Sequence, residues 1–398
     1  MSMLASLFPP EPPLAPMNFT RQPVMPRYWG GGLVALLVGF ALGFLLWLQQ
    51  QGHLAPWESY TDWRILHGRV QIFLFTGSFL LGFALQAGPH VVAGSPPPSA
   101  TALALIYPLW LGFFLTLVPF EPLSWLGNGA ISATYLMAAW LFFQIARGGD
   151  TTRLAGIGLP MALGFFFLAL GAWFPVGETS HALWVIWCGP LAIVFGASQQ
   201  LLANVMGGQR LVGWQGKVFL GMLLLSCLLS FLAAYQPELT LWMGMSWLVV
   251  WFWFVLHTRA LLVMKQQGFN SLAVALASGF FFVLLACLVL ISQKTAGLDM
   301  AVHLLGAGTL TVLILGVAAR VASFFSAGRL FHDRLLALLL LAWDGVALAR
   351  SLGWPLSLVM THLGGVLLAW WSIRFFMRLH AISLLVPKQF GGRFIKIQ

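Results

Sequence analysis

The chain has 398 residues, of which 60% are apolar and only 8% are charged. In soluble domains roughly a quarter of the residues are charged, so this composition excludes a soluble protein. The high apolar content also excludes a disordered chain. Twenty Lys and Arg against ten Asp and Glu give a net charge of +10, but the cations are scattered among apolar runs and form no basic patch for nucleic acid.

Twelve apolar runs predict an all-α, polytopic membrane protein with one membrane domain over residues 28–380. Each run approaches the roughly 20 residues needed to cross the hydrocarbon core. A Pro-rich tail over residues 1–27 precedes the domain, and a basic tail over 381–398 follows it. The predicted spans are roughly 28–48, 66–88, 100–119, 128–146, 154–174, 183–203, 216–234, 239–263, 271–293, 300–322, 334–350 and 354–379.

Lys and Arg are distributed unequally between the two sides that these spans define. If the N-terminus is cytoplasmic, sixteen of the twenty lie on the cytoplasmic side and only four on the outer side, namely Arg64, Arg69, Lys294 and Arg350. Because cytoplasmic loops of membrane proteins carry an excess of positive charge, this bias predicts that both termini are cytoplasmic.

Three histidines share the predicted outer half of the membrane. His67 begins the second span, His303 begins the tenth, and His362 lies about 12 Å into the twelfth at about 1.5 Å per residue. Ionisable groups at membrane depth usually face the bundle interior and are candidates for function. A single histidine near the interface more often has no chemical role, so the hypothesis depends on the depth that the three share.

Small residues accompany each of these histidines. At least one glycine follows each within three residues, and Gln71 lies four residues after His67 on the same helical face. A haem needs an imidazole with small residues beside it, so that the helix backbone can approach the macrocycle. The alternative is that the glycines serve helix packing alone, as the Gly39–Gly43 pair does in the first span with no histidine nearby in the sequence.

Charged residues near the histidines are few. A haem carries two propionates that need cationic partners, and Arg350 is the better candidate because Arg69, two residues from His67, faces away from it. Asp344 in the eleventh span is either a proton-relay carboxylate or a group that fills a polar gap between helices. No GxGxxG, P-loop or GxSxG motif competes with this site.

Two histidine-led segments carry a family resemblance. They are LHGRVQIFLFTGSFLLGFALQAGPHVVAG (66–94) and HLLGAGTLTVLILGVAARVASFFSAGR (303–329), which resemble the NnrS family of membrane proteins linked to haem, copper and the bacterial response to nitric oxide. The resemblance implies roles for His303, Arg320 and, less specifically, Arg350. It also implies a multi-pass protein of the bacterial inner membrane.

This chain departs from the family pattern in its number of ligands. The first family motif often holds two histidines and a glutamate, whereas here His67 stands with Gln71, and the second lacks a histidine before its Gly-Arg turn. Fewer ligands argue against copper more than against haem. A more distant likeness is to the core subunit of haem–copper oxidases and nitric oxide reductases, but the His-x-His and paired copper histidines of that subunit are absent.

The sequence thus predicts a haem b protein of the membrane that handles a small gas such as nitric oxide. His67 and His303 are the predicted iron ligands, with His362 as an alternative ligand or a second metal site. A quinol or an electron-donor protein is the expected redox partner, and whether the chain turns over a substrate as an oxidoreductase is left open. The alternatives are a transporter of a small solute, and a non-catalytic subunit of a respiratory complex.

Overall fold

Twelve apolar helices correspond one to one with the predicted spans. The computed structural model describes residues 24–55, 59–174, 178–325, 332–352, 357–383, 386–387 and 394–395. The helices are α1 (Met25–Gln50), α2 (Tyr60–Gln86), α3 (Ala100–Thr116), α4 (Glu121–Arg147), α5 (Thr151–Gly171), α6 (Thr179–Met206), α7 (Gly213–Tyr235), α8 (Pro237–Thr258), α9 (Ser271–Gln293), α10 (Thr295–Ala322), α11 (Asp333–Leu352) and α12 (Ser357–Ser383).

Among the described residues, eleven of these helices are long and apolar enough to cross a membrane. The remaining one, α3, is about 26 Å long at a rise of about 1.5 Å per residue, which is close to the lower limit for a span. The all-α, polytopic membrane class is therefore confirmed. Beyond α12, β1 (Val386–Pro387) and β2 (Phe394–Ile395) pair antiparallel.

Some helix limits differ from the predicted ones. α1 begins at Met25, three residues before the predicted start, because Pro26 occupies the first turn, where its missing N–H costs nothing. α11 is two residues longer at its end than predicted and reaches Leu352. Most of the two predicted tails and the Gly-Arg turn at Arg329 lie outside the described residues.

Nine of the helices form a closed ring. In order around it, α1, α3, α4, α5, α7, α8, α9, α11 and α12 each pack on the next, and α12 packs on α1. The contact between α1 and α3 includes a hydrogen bond from the Tyr28 hydroxyl to the Ala102 carbonyl and a close approach of Trp110 to Gly31.

The three helices that are absent from this ring lie inside it. Within its apolar stretch, α6 is 94% buried, α2 is 78% buried and α10 is 67% buried, whereas no other long helix exceeds 61%. Each successive group of four helices thus contributes its second helix to the centre. Two of the three central helices, α2 and α10, carry the candidate histidines; His67 and His303 lie seven and eight residues after the helix starts, and not at the starts as predicted.

The central helices share a second property, a segment of π-helix. It covers Val70–Thr76 in α2, Trp187–Leu191 in α6 and Leu304–Leu310 in α10, and α5 has a fourth at Leu154–Gly158. π-Helical turns widen the helix by one residue and are frequent at functional sites. In α2 and α10 this segment begins within three residues of the candidate histidine.

At the end of the bundle away from His67 and His303, polar contacts order the loops before α5 and α7. The Asp150 carboxylate caps the turn that begins α5 and pairs with Arg153 at 2.9 Å. Hydrogen bonds from Thr152 hold the pKa of Asp150 below its usual range. Arg210 donates to Gln200 at 2.9 Å, so the loop before α7 is tied to the end of α6.

Candidate functional site

A cavity of about 480 Å³ lies between α1, α2, α6, α10, α11 and α12. This volume falls in the range of small-molecule and cofactor sites. Aromatic and aliphatic side chains form most of its wall, including Phe40, Phe75 and Trp343. Six of its polar residues gather where α1 and α11 end and where α2, α6 and α10 begin. We call these six the polar end of the cavity, and they are Gln50, Tyr60, Arg64, Thr179, Asp299 and Arg350.

His67 lines this cavity and is fixed between two helices. Its Nδ1 atom lies 2.9 Å from the carbonyl oxygen of Gly39 in α1. Because a carbonyl oxygen can only accept, the Nδ1 atom carries the proton and the Nε2 atom of the neutral ring keeps its lone pair. The ring also lies against Gly43, where an added Cβ would come within 2.7 Å of the His67 Cε1 atom.

His303 lines the same cavity from α10. Its Nδ1 atom lies 2.8 Å from the carbonyl oxygen of Asp299 and 3.4 Å from the carboxylate of the same residue, four positions earlier. With Nδ1 as the donor, the Nε2 atom of a neutral ring carries the lone pair, and this atom has no hydrogen-bond partner among the described residues. A second partner on the far ring nitrogen is the usual arrangement of a metal-ligating histidine.

The other predicted residues divide between the cavity and its surroundings. Gln71 and Arg350 both line the cavity, and Gln71 packs against Gly39 of α1. His362 does not line it: the ring is on the exposed face of α12, edge-on to Phe44 at 4.8 Å between centroids, while the neighbouring Thr361 faces the cavity. The structure thus brings four of the five predicted residues together and leaves His362 outside.

Two of the residues at the polar end of the cavity are arginines. The Arg64 guanidinium donates to Thr179 at 2.6 Å and lies 3.7 Å from the Asp299 carboxylate. The Arg350 guanidinium has no hydrogen bond among the described residues. Two arginines with unused donors at one end of an apolar cavity match a ligand whose body is apolar and whose end is anionic.

Two further intramembrane charges lie outside the cavity. Arg69 donates to the Asn128 side chain at 2.7 Å and to the Ala172 carbonyl at 3.1 Å, so it faces away from His67, as the spacing predicts. The Asp344 carboxylate is 2.5 Å from the Ser278 hydroxyl, and its second oxygen is buried without a partner among the described residues. Asp344 therefore connects α11 to α9 through Ser278.

The residues present fit a haem better than a bare metal ion. The two imidazoles, with Nε2 atoms free of hydrogen bonds, would hold the iron, and the glycines at 43 and 306 place no side chain in the cavity wall. Within the described ranges, no group of three or more His, Cys, Asp and Glu side chains is placed to hold a metal ion. Two histidines are also fewer than the His₂Cys set, with its weak axial ligand, of a blue-copper site.

Sequence reasoning missed several residues of the site. The Gly39–Gly43 pair, interpreted as a signal for helix packing alone, does pack against α2, and the side chains that it contacts are those of His67 and Gln71. A contact between two separate helices leaves no mark in the order of residues. Asp299 was also missed, although its i, i+4 spacing to His303 places both on one helical face and could have revealed it.

Comparison of the chain with protein-family models and with curated proteins gives no match. The resemblance to the NnrS family therefore depends on the two segments quoted above.

Proposed function

We propose that this chain is a haem b protein of the bacterial inner membrane that acts in the response to nitric oxide or in related redox handling of gases. The observation that supports it best is the state of the two histidines. His67 and His303 come from different central helices, line one cavity, and both donate Nδ1–H to a carbonyl, which leaves Nε2 available for iron.

In this proposal the chain's own residues bind and orient the cofactor. His67 and His303 hold the iron, Arg350 and Arg64 pair with the propionates at the polar end, and the aromatic wall excludes water from the macrocycle. A bound haem would supply reversible one-electron chemistry or a coordination position for a gas. A quinol or a donor protein would supply the electrons, and the link to nitric oxide comes from the NnrS resemblance.

Absorption and metal analysis of the purified protein test this proposal. We expect a Soret band, a haem b pyridine haemochrome and roughly one iron per chain, with copper far below that ratio. The double variant His67→Ala/His303→Ala should lose the band, whereas His53→Ala should keep it, since His53 is an exposed loop residue on the same side. A wild-type protein without a Soret band, or a double variant that retains it, would refute the proposal.

Sensitivity to nitric oxide tests the biological part separately. A strain that lacks the chain should grow more slowly under a nitric oxide donor, and the wild-type chain should restore growth while the double variant should not. Restoration by the double variant would separate the haem site from the nitric oxide response.

A further inference from the structure

His67 and His303 are held in different ways, and this difference has a chemical consequence. The hydrogen bond of His67 crosses from α2 to the Gly39 carbonyl in α1, so it fixes the ring relative to a second helix. The hydrogen bond of His303 stays within its own helix, four residues back to Asp299. That bond restrains the ring only relative to its own backbone.

The space around the two rings also differs, and His67 is again the more restricted of the two. At Gly43 an added Cβ would lie 2.7 Å from the His67 Cε1 atom, so the ring has no room on the α1 side. At Gly306, one turn from His303 and also in the cavity wall, an added Cβ would have no atom within 4 Å. An imidazole that leaves the iron is therefore blocked on the α1 side at His67, whereas the cavity wall one turn after His303 is open.

Solvent also reaches His303. Its side chain is 21% exposed, and its neighbours Asp299 and Arg64 at the polar end are 59% and 41% exposed. Water and these polar groups can hydrogen-bond to an imidazole once it is displaced, which lowers the cost of leaving the iron.

We infer that His67 is the permanent ligand and His303 the exchangeable one, so that a small neutral gas enters the iron site on the α10 side by displacing His303. This inference rests on the proposed haem function and assigns unequal roles to its two ligands. The exchange breaks one coordinate bond, from iron to the His303 Nε2 atom, and forms one to the incoming gas. It requires no oxidant or reductant.

Single variants with carbon monoxide as the probe test the assignment. His303→Ala should retain haem within about twofold of the wild type, show a five-coordinate high-spin spectrum, and bind carbon monoxide faster because no ligand must leave. His67→Ala should lose at least about tenfold in haem content, a difference of about 1.4 kcal/mol in binding. The reverse pattern, or equal losses in both variants, would overturn the inference.

Two controls separate the possible failures. Size-exclusion profiles and thermal unfolding of both variants show whether each is folded, and imidazole added to His67→Gly should restore haem binding only if the folded cavity persists. If the wild type holds no haem, the proposed function itself fails. If the wild type holds haem but both histidines prove equivalent, the assignment of unequal roles alone fails.

Discussion

The Nδ1 atom of His67 lies 2.9 Å from the carbonyl oxygen of Gly39, and this hydrogen bond joins the second helix of the bundle to the first. Because Gly39 also lies against Gln71 and Gly43 lies against the His67 ring, one glycine-bearing face of α1 positions two candidate residues at once. The bond fixes the tautomer of His67, and the absence of side chains at Gly39 and Gly43 leaves room for the ring beside α1. The site is therefore built as much by glycines as by histidines.

A larger side chain at Gly43 should displace His67. In the variant Gly43→Val the Cβ atom alone would come within 2.7 Å of the ring, and overpacking of this kind costs roughly 1–3 kcal/mol. We expect about tenfold less haem per chain, measured by pyridine haemochrome. The matched control Gly30→Val lies in the same helix with no atom within 4 Å of its added Cβ, and it should bind haem normally. Equal haem content in the two variants would contradict the role of Gly43.

Removal of the Arg350 charge should weaken cofactor binding. Arg350 lines the cavity and has no hydrogen bond among the described residues, so its donors are available for a propionate. A hydrogen bond to a charged group contributes roughly 1.5–3 kcal/mol, so Arg350→Gln should raise the dissociation constant for haem by at least about tenfold. Arg350→Lys keeps the charge, so its dissociation constant for haem should lie between those of the wild type and the Gln variant. Haem titration of the apoprotein measures the effect, and an unchanged constant in the Gln variant would exclude this role.

Loss of the Asp299 charge should raise the reduction potential of the site. Its carboxylate lies 3.4 Å from the His303 Nδ1 atom and stabilises a positive charge on or near the ligand set. Asp299→Asn removes an interaction on the order of 1 kcal/mol, which corresponds to about 40 mV for a one-electron couple. Redox titration of the Soret band measures the shift. Glu178→Gln is the control, because that carboxylate pairs with His181 and does not line the cavity.

Arg69 should contribute to stability and not to the site. Its two hydrogen bonds connect α2 with Asn128 of α4 and with the Ala172 carbonyl after α5. In Arg69→Ala both acceptors lose their partner, which costs about 2–4 kcal/mol in total, so the thermal unfolding midpoint in detergent should fall while the Soret band stays in place. Arg147→Ala, at an exposed position at the end of α4, should leave the midpoint nearly unchanged. An altered Soret band in Arg69→Ala would place Arg69 in the site after all.

The distribution of Lys and Arg predicts the orientation of the chain, and reporter fusions test it. Fusions at both termini should be active only with a cytoplasmic reporter, and a fusion in the loop at His53 only with an exported one. The polar end of the cavity would then face the outside of the cell membrane. The opposite pattern would invert the side from which the cavity is reached, without altering the arrangement of residues around it.

The sequence alone determined the class of protein and the approximate positions of the twelve apolar helices. Apolar length is a local property, so each run of about 20 apolar residues forms a helix wherever it lies in the fold. The sequence also singled out His67, His303, Arg350 and Gln71, which line one cavity, because polar and ionisable groups at membrane depth are rare and their positions along a helix follow from residue spacing. The depth of His362 along α12 could be predicted in the same way.

Only the tertiary structure decided which faces of the helices meet. The depth of a residue follows from its position in a span, but its direction around the helix axis depends on packing against neighbours that are distant in the sequence. That is why His362, at a suitable depth, lies on the exposed face of α12, while the Gly39–Gly43 pair of α1 contacts His67. It is also why the second, sixth and tenth helices lie at the centre, an arrangement that no local pattern of residues specifies.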